Sequence, residues 1–185
     1  MLEVELTAIP DVKIIRPAKM RDERGFFSEV YNRQSFAEAG IYLTFVQDNH
    51  SQSMNVGTIR GLHFQSHPFA QDKLVRVTRG RIMDVAVDIR RSSPTFGRHV
   101  SVELSAENWL QLLVPIGFAH GFLTLELDTE VVYKATNYYS AAHDRGIAWD
   151  DPALGINWTI EPGQSGLSEK DRRQPRFADL PPCFD

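Results

Sequence analysis

Arg81-Ile82-Met83-Asp84-Val85-Ala86-Val87-Asp88-Ile89 is the stretch that decides the fold class. Met83, Val85, Val87 and Ile89 fall on one side, and Asp84, Ala86 and Asp88 on the other. Side chains that alternate with a period of two belong to a strand, here read as half-buried. Working outward, Val100, Val102 and Leu104 alternate with Ser101 and Glu103, and Leu123, Leu125 and Leu127 with Thr124, Glu126 and Asp128. Val131, Tyr133 and Ala135 share a face, and Lys73 to Val77 reads as a further strand. Arg79-Gly80, Ser93-Pro94, Pro115-Ile116-Gly117 and Asp151-Pro152 supply the turns between runs. Short strands at this spacing predict an all-β antiparallel sandwich or barrel rather than a parallel sheet. Only Arg33 to Ala39 and Ser105 to Asn108 look helical. From about Asp150 onward Pro, Gly and charge increase, which predicts an irregular tail wrapped on the barrel. With no linker or repeat, residues 1–185 read as a single domain with a core at about 40–145.

The chain has 185 residues, enough for one core without staples. Its 42% hydrophobic and 24% charged content is that of a globular protein, and its formal net charge of -4 argues against nucleic-acid binding. The single cysteine, Cys183, can form no intrachain disulfide, so a reducing, cytoplasmic setting is expected. The N-terminus lacks the apolar run of a signal peptide, and no stretch approaches the length of a membrane span. Asn157-Trp158-Thr159 is then read as a chance match to a glycosylation acceptor.

Two segments carry the chemistry. Gln47-Asp48-Asn49-His50-Ser51, with Gly57 to Gln65, is dense in polar side chains between apolar strands. A polar lining inside a small barrel holds a ligand, although any one of these residues fits a surface strand equally well. His63, Lys73, Arg60, His120 and Tyr133 all fall on or beside predicted strands, and a closed sheet can bring such residues together. Pro115-Ile116-Gly117-Phe118-Ala119-His120 delivers a histidine at a strand start and resembles the second motif of the cupin superfamily. Metal-binding cupins also need a His-x-His pair, and here the stretch reads His63-Phe64-Gln65, so no metal site is expected. Nucleotide-cofactor, P-loop and nucleophile-elbow motifs are absent.

Taken in order, Asp22 to Phe27, Gln47 to Ser51, Gly57 to His63, Gln71 to Val77, Asp84 to Arg90, Ser93 to Gly97, Pro115 to Phe122, Tyr133, Trp149 to Pro152 and Leu167 to Asp171 resemble the dTDP-4-dehydrorhamnose 3,5-epimerase family over the whole chain. The resemblance implies a cupin-type jelly roll, a homodimer, no metal and no cofactor. It implies epimerisation of a dTDP-linked 4-keto-6-deoxy-glucose at C3 and C5. By the same resemblance, His63 is the base, Asp171 orients it, Tyr133 is the acid and Lys73 sits near the keto oxygen. Arg24, Glu29, Gln47, Asn49, Arg60, His120, Asp144 and Lys170 would contact the substrate, and Phe26, Phe27 and Tyr139 would border the nucleotide. Asp144 stands where the family usually carries Glu. A relative epimerising one carbon would share nearly all these residues, so that alternative stays open beside a non-catalytic binding barrel and a metal-dependent oxygenase.

Overall fold

The structure is a computed structural model describing residues 2–160 and 166–185. Thirteen strands and two short helices follow one another along the described residues. They are β1 (Glu3–Leu6), β2 (Lys13–Arg16), β3 (Met20–Asp22), β4 (Gly25–Phe27), α1 (Arg33–Glu38), β5 (Gln47–Ser53), β6 (Ile59–Gln65), β7 (Lys73–Arg79), β8 (Arg81–Asp88), β9 (His99–Ser105), β10 (Gln111–Val114), β11 (Phe118–Thr124), β12 (Thr129–Ala135), β13 (Asp144–Gly146) and α2 (Glu169–Arg172). One sheet orders its six strands β1-β2-β10-β7-β12-β5 and the other its five β13-β6-β11-β8-β9. All their pairings are antiparallel, giving the two-sheet jelly roll expected of a chain that alternates with period two. β2 pairs with β10, and β1 with β2, so the N-terminal strands continue the six-stranded sheet.

Three apolar layers hold this together. Val75, Val77, Ile82, Ala86, Leu104, Leu112, Phe122 and Val131 fill the space between the sheets. Ile15, Phe36, Leu74 and Leu113 pack α1, capped by Asn32, against the outer face of the larger sheet. The tail lays Leu154, Trp158, Leu180 and Phe184 over Leu62, Phe64, Val85 and Val87, on the outer face of the smaller sheet.

That last layer corrects the reading of Arg81 to Ile89. Val85, Val87 and Ile89 lie under the tail, and Asp84, Ala86 and Asp88 are themselves fully buried rather than turned to water. A strand covered on both faces no longer advertises which side meets solvent. Two further expectations are revised. Residues 106–108 form a turn after β9 instead of a helix. The alternation from Leu123 breaks after Thr124, where the chain turns and leaves Leu127 66% exposed. No helix among the described residues is long and apolar enough to cross a membrane.

Candidate active site

A cavity of about 510 Å³ opens between the sheets. The smaller sheet contributes His63 from β6 and His120 from β11; the larger contributes Ser51, Lys73 and Tyr133 from β5, β7 and β12. Residues 166–168 and Asp171 close one side. His63 and His120 are Cα partners across β6 and β11, followed by a bulge between His120 and Phe122. Glycine is required where these strands meet. Gly61 has φ +142°, and a Cβ there would lie 2.4 Å from the Cα of Gly121. On the facing sheet the Lys73 ammonium lies 6.0 Å from the centre of the Tyr133 ring.

Asp171 is buried and accepts a hydrogen bond from Nε2 of His63. Ser168 places it: this N-cap hydroxyl receives the Asp171 backbone N–H at 3.1 Å and donates to Oδ2 at 2.8 Å. Burial pushes the Asp171 carboxyl up, but the His63 bond and charge and the Ser168 bond outweigh it and hold the carboxyl below its usual range. With Nε2 engaged, Nδ1 is the nitrogen left to take a proton.

Lys73 is lowered to about 8, chiefly by burial and secondarily by Lys170, against the opposing pull of Asp144 and Asp84. Tyr133 is raised, first by burial and then by Asp144, so its phenol stays protonated at neutral pH.

Outside the residues that line the cavity, a connected chain of polar groups links β5 to α2. Gln47 donates to Asn49 at 2.9 Å and accepts from the Tyr139 backbone N–H at 3.0 Å. The Tyr139 hydroxyl donates to Asp144 at 3.0 Å, and Lys170 donates to the same carboxylate oxygen. The shorter side chain of Asp144 thus ties Tyr139 to the helix bearing Asp171. Arg60 lines the cavity, held by Ser53 at 3.1 Å and the Gln52 carbonyl at 2.9 Å.

Of the expected substrate contacts only Arg60 and His120 line the cavity; Gln47, Asn49, Tyr139, Asp144 and Lys170 belong to the polar chain outside that lining, and three lie elsewhere in the chain. Arg24 pairs with Asp22 at 2.6 Å beside the β3–β4 hairpin, Phe27 is 68% exposed, and Glu29 borders a separate hollow with Met20, Phe27 and Asn32. Other residues were missed in the sequence. Ser168 carried a signal, a Ser-x-x-Asp cap. Asp84, hydrogen-bonded to His120, had the weaker one of an acid inside an apolar strand. Gln65, at the position of the second histidine of a metal-binding cupin, is turned to the loop, donating to the carbonyls of Phe69 and Tyr138 and accepting from Ser140. Among the described residues no group of three or more His, Cys, Asp or Glu side chains is placed to hold a metal ion.

Fold and site together define a class: a cupin-type jelly roll with a histidine–carboxylate pair facing a lysine and a tyrosine, groups suited to moving protons rather than electrons. A family model described as dTDP-4-dehydrorhamnose 3,5-epimerase matches residues 6–179. The chain is 56% identical over 177 residues to such an epimerase from Sinorhizobium fredii (strain NBRC 101917 / NGR234), covering 96% of this chain and 90% of that one. Its fold is similar to the dTDP-6-deoxy-D-glucose-3,5-epimerase of Legionella pneumophila Philadelphia 1 in complex with dTDP-4-keto-L-rhamnose, with a TM-score of 0.93, 43% identity, and 98% and 95% of the two chains covered. A 3'-monoepimerase of Streptomyces bikiniensis in complex with dTDP-quinovose is similar at a TM-score of 0.86 and 33% identity, covering 94% of this chain and 87% of that one. The chain belongs to the dTDP-4-dehydrorhamnose 3,5-epimerase family and is an isomerase.

Proposed function

We propose that this chain inverts C3 and C5 of dTDP-4-dehydro-6-deoxy-D-glucose to give dTDP-4-dehydro-L-rhamnose, with His63 as base and Tyr133 as acid. The observation that carries the assignment is the placement of His63 on one sheet and Tyr133 on the other, across a single cavity. A sugar held between them loses a proton from one face and receives one on the opposite face, which is inversion. Nδ1 of His63 takes the proton alpha to the ketone, and the C–H electron pair moves into the C3–C4 or C4–C5 bond and onto the C4 oxygen. Asp171 stabilises the resulting imidazolium. The Lys73 ammonium balances the enolate oxygen, a contribution of about 3 kcal/mol by the measure of a single oxyanion donor. Tyr133 then delivers its hydroxyl proton to the same carbon and recovers one from water, while the His63 imidazolium gives its proton up to water. Both carbons flank one ketone, so the same groups serve twice.

Gln47, Asn49, Arg60, His120, Tyr139, Asp144 and Lys170 form the binding wall and rim in this reading. Arg24, Phe27 and Glu29 are assigned to the pocket of a second copy. The hairpin that carries them exposes Met20, Phe26 and Phe27 by 56%, 49% and 68%, an apolar surface that suits a homodimer. A cytoplasmic setting belongs to the same proposal, supported by the lone Cys183.

The test is proton NMR of the chain with dTDP-4-dehydro-6-deoxy-D-glucose in deuterated water. Deuterium at C3 and C5 with inverted product is expected. Deuterium at one carbon replaces the proposal with a mono-epimerase, and none at either, with dTDP still bound, overturns catalysis.

A further inference from the structure

The cavity is served by a second histidine–carboxylate pair. His120 Nε2 lies 2.6 Å from Oδ1 of Asp84, and both side chains are buried, at 7% and 0% exposure. Asp84 does not line the cavity; it stands behind His120, which does. Its other oxygen, Oδ2, is buried with no hydrogen-bond partner among the described residues. A buried carboxylate half-satisfied by one imidazole is a poor way to stabilise a core, because an apolar side chain of the same volume avoids the desolvation of the charge. Its neighbours Ile82 and Ala86 on the same strand face are apolar and pack between the sheets.

We propose that Asp84 is a positioning residue for the reaction, acting through His120. The carboxylate can only accept, so it requires the proton on Nε2 and turns the ring so that Nδ1, which has no partner among the described residues, offers a lone pair to the cavity. That nitrogen accepts a hydrogen bond from a sugar hydroxyl beside the ketone, while the Lys73 ammonium takes the keto oxygen. The smaller sheet thus fixes the rotation of the ring about its axis, and with it which C–H bond faces His63, the Cα partner of His120. A displaced ring still binds through its nucleotide but presents the wrong hydrogen, so the effect falls on turnover rather than affinity. The inference rests on the epimerase reading of this cavity.

The experiment is Asp84→Asn, compared with His120→Gln and the double variant, alongside nitrogen-15 histidine NMR of the unaltered chain. Asp84→Asn is expected to lower kcat by about 100-fold, the scale of a misplaced substrate, with KM and dTDP affinity within about twofold of wild type. The double variant should be no slower than His120→Gln, because Asp84 acts only through that ring. A kcat within threefold of wild type, losses that multiply in the double variant, or a fall confined to KM each overturns the proposal. Should Asp84→Asn fail to fold, the unaltered chain decides: protonated Nε2 and bare Nδ1 on His120 support the proposal, and the reverse tautomer overturns it. A wild-type chain with no turnover sinks the epimerase reading instead, and the tautomer then judges the Asp84–His120 geometry alone.

Discussion

Replacing Asp171 by Asn separates the chemistry of the His63–Asp171 pair from its packing. The side chains are isosteric, and the structure dictates how the amide settles. The Ser168 hydroxyl accepts the residue 171 backbone N–H and donates its own hydrogen to Oδ2, an arrangement that favours an acceptor atom there. The amide oxygen therefore stays with Ser168, and the NH2 group turns to Nε2 of His63. An NH2 group can only donate, so Nε2 must carry the lone pair and the proton moves to Nδ1. The nitrogen facing the sugar is then no longer a base. Forcing a catalytic imidazole into the wrong tautomer costs about 10⁴-fold in kcat, about 5 kcal/mol on the barrier. Initial rates of deuterium entry at C3 and C5 read this directly, with dTDP binding and thermal melting as controls for folding. A melting temperature near wild type, intact dTDP binding and exchange slowed by about 10⁴ are expected. Exchange within tenfold of wild type in a folded variant would refute the tautomer argument and remove Asp171 from the mechanism.

Three other outcomes follow from the same geometry. Tyr133→Phe should abolish inverted product while deuterium still exchanges at the sugar carbons, because His63 acts before Tyr133; undiminished product yield would exclude Tyr133 as the acid. Lys73 is lowered to about 8, so its charged form prevails below that pH and is lost above it. A kcat/KM–pH profile should therefore fall through about 8, and Lys73→Met should be slow with that limb flattened; a limb unchanged in Lys73→Met assigns it to another group. Asp88 is raised by burial but carried down to about 2 by hydrogen bonds from Arg90, Ser93 and Thr95. A depressed carboxyl stabilises the fold above its unfolded value and loses that as pH falls, so about 2 kcal/mol should disappear between about pH 4 and 2; equal acid sensitivity of Asp88→Asn and wild type would contradict it.

Much of this was legible because alternation and turns are local properties. Strands β7, β8, β9 and β12 and helix α1 fall where period and punctuation put them. Cover was not legible, since it comes from distant residues. The tail that buries Val85 and Val87 lies some seventy residues or more further on, so the alternation in β8 was real while its assignment of sides to core and solvent failed. The alternation past Thr124 failed for a different reason. Leu125 to Asp128 keep the pattern, but positive φ at Asp128 and a bond from Thr129 to the Glu126 carbonyl make them a tight turn. His63, Lys73, Tyr133 and Asp171 were singled out through the joint motif, whereas Ser168 and Asp84 were not, because each bonds to another site residue, Asp171 or His120, and that pairing depends on the fold.

The divergence from a metal-binding cupin can be traced to Gln65 and its surroundings. In β6 the residue two places after His63 also faces inward from the strand, where a second imidazole would complete a His-x-His pair. Gln65 instead spends its amide on two loops, bonding Phe69 in the β6–β7 loop at 2.7 Å, and Tyr138 and Ser140 beside Tyr139 at 3.1 and 2.6 Å. The position thereby braces loops rather than lining the cavity. Among the described residues, His63 and His120 are each backed by a carboxylate of their own, Asp171 or Asp84, on a different element. A carboxylate behind an imidazole fixes where its proton sits. Two such imidazoles side by side, facing an ammonium and a phenol on the other sheet, are the groups that the proposed removal and return of a proton calls for.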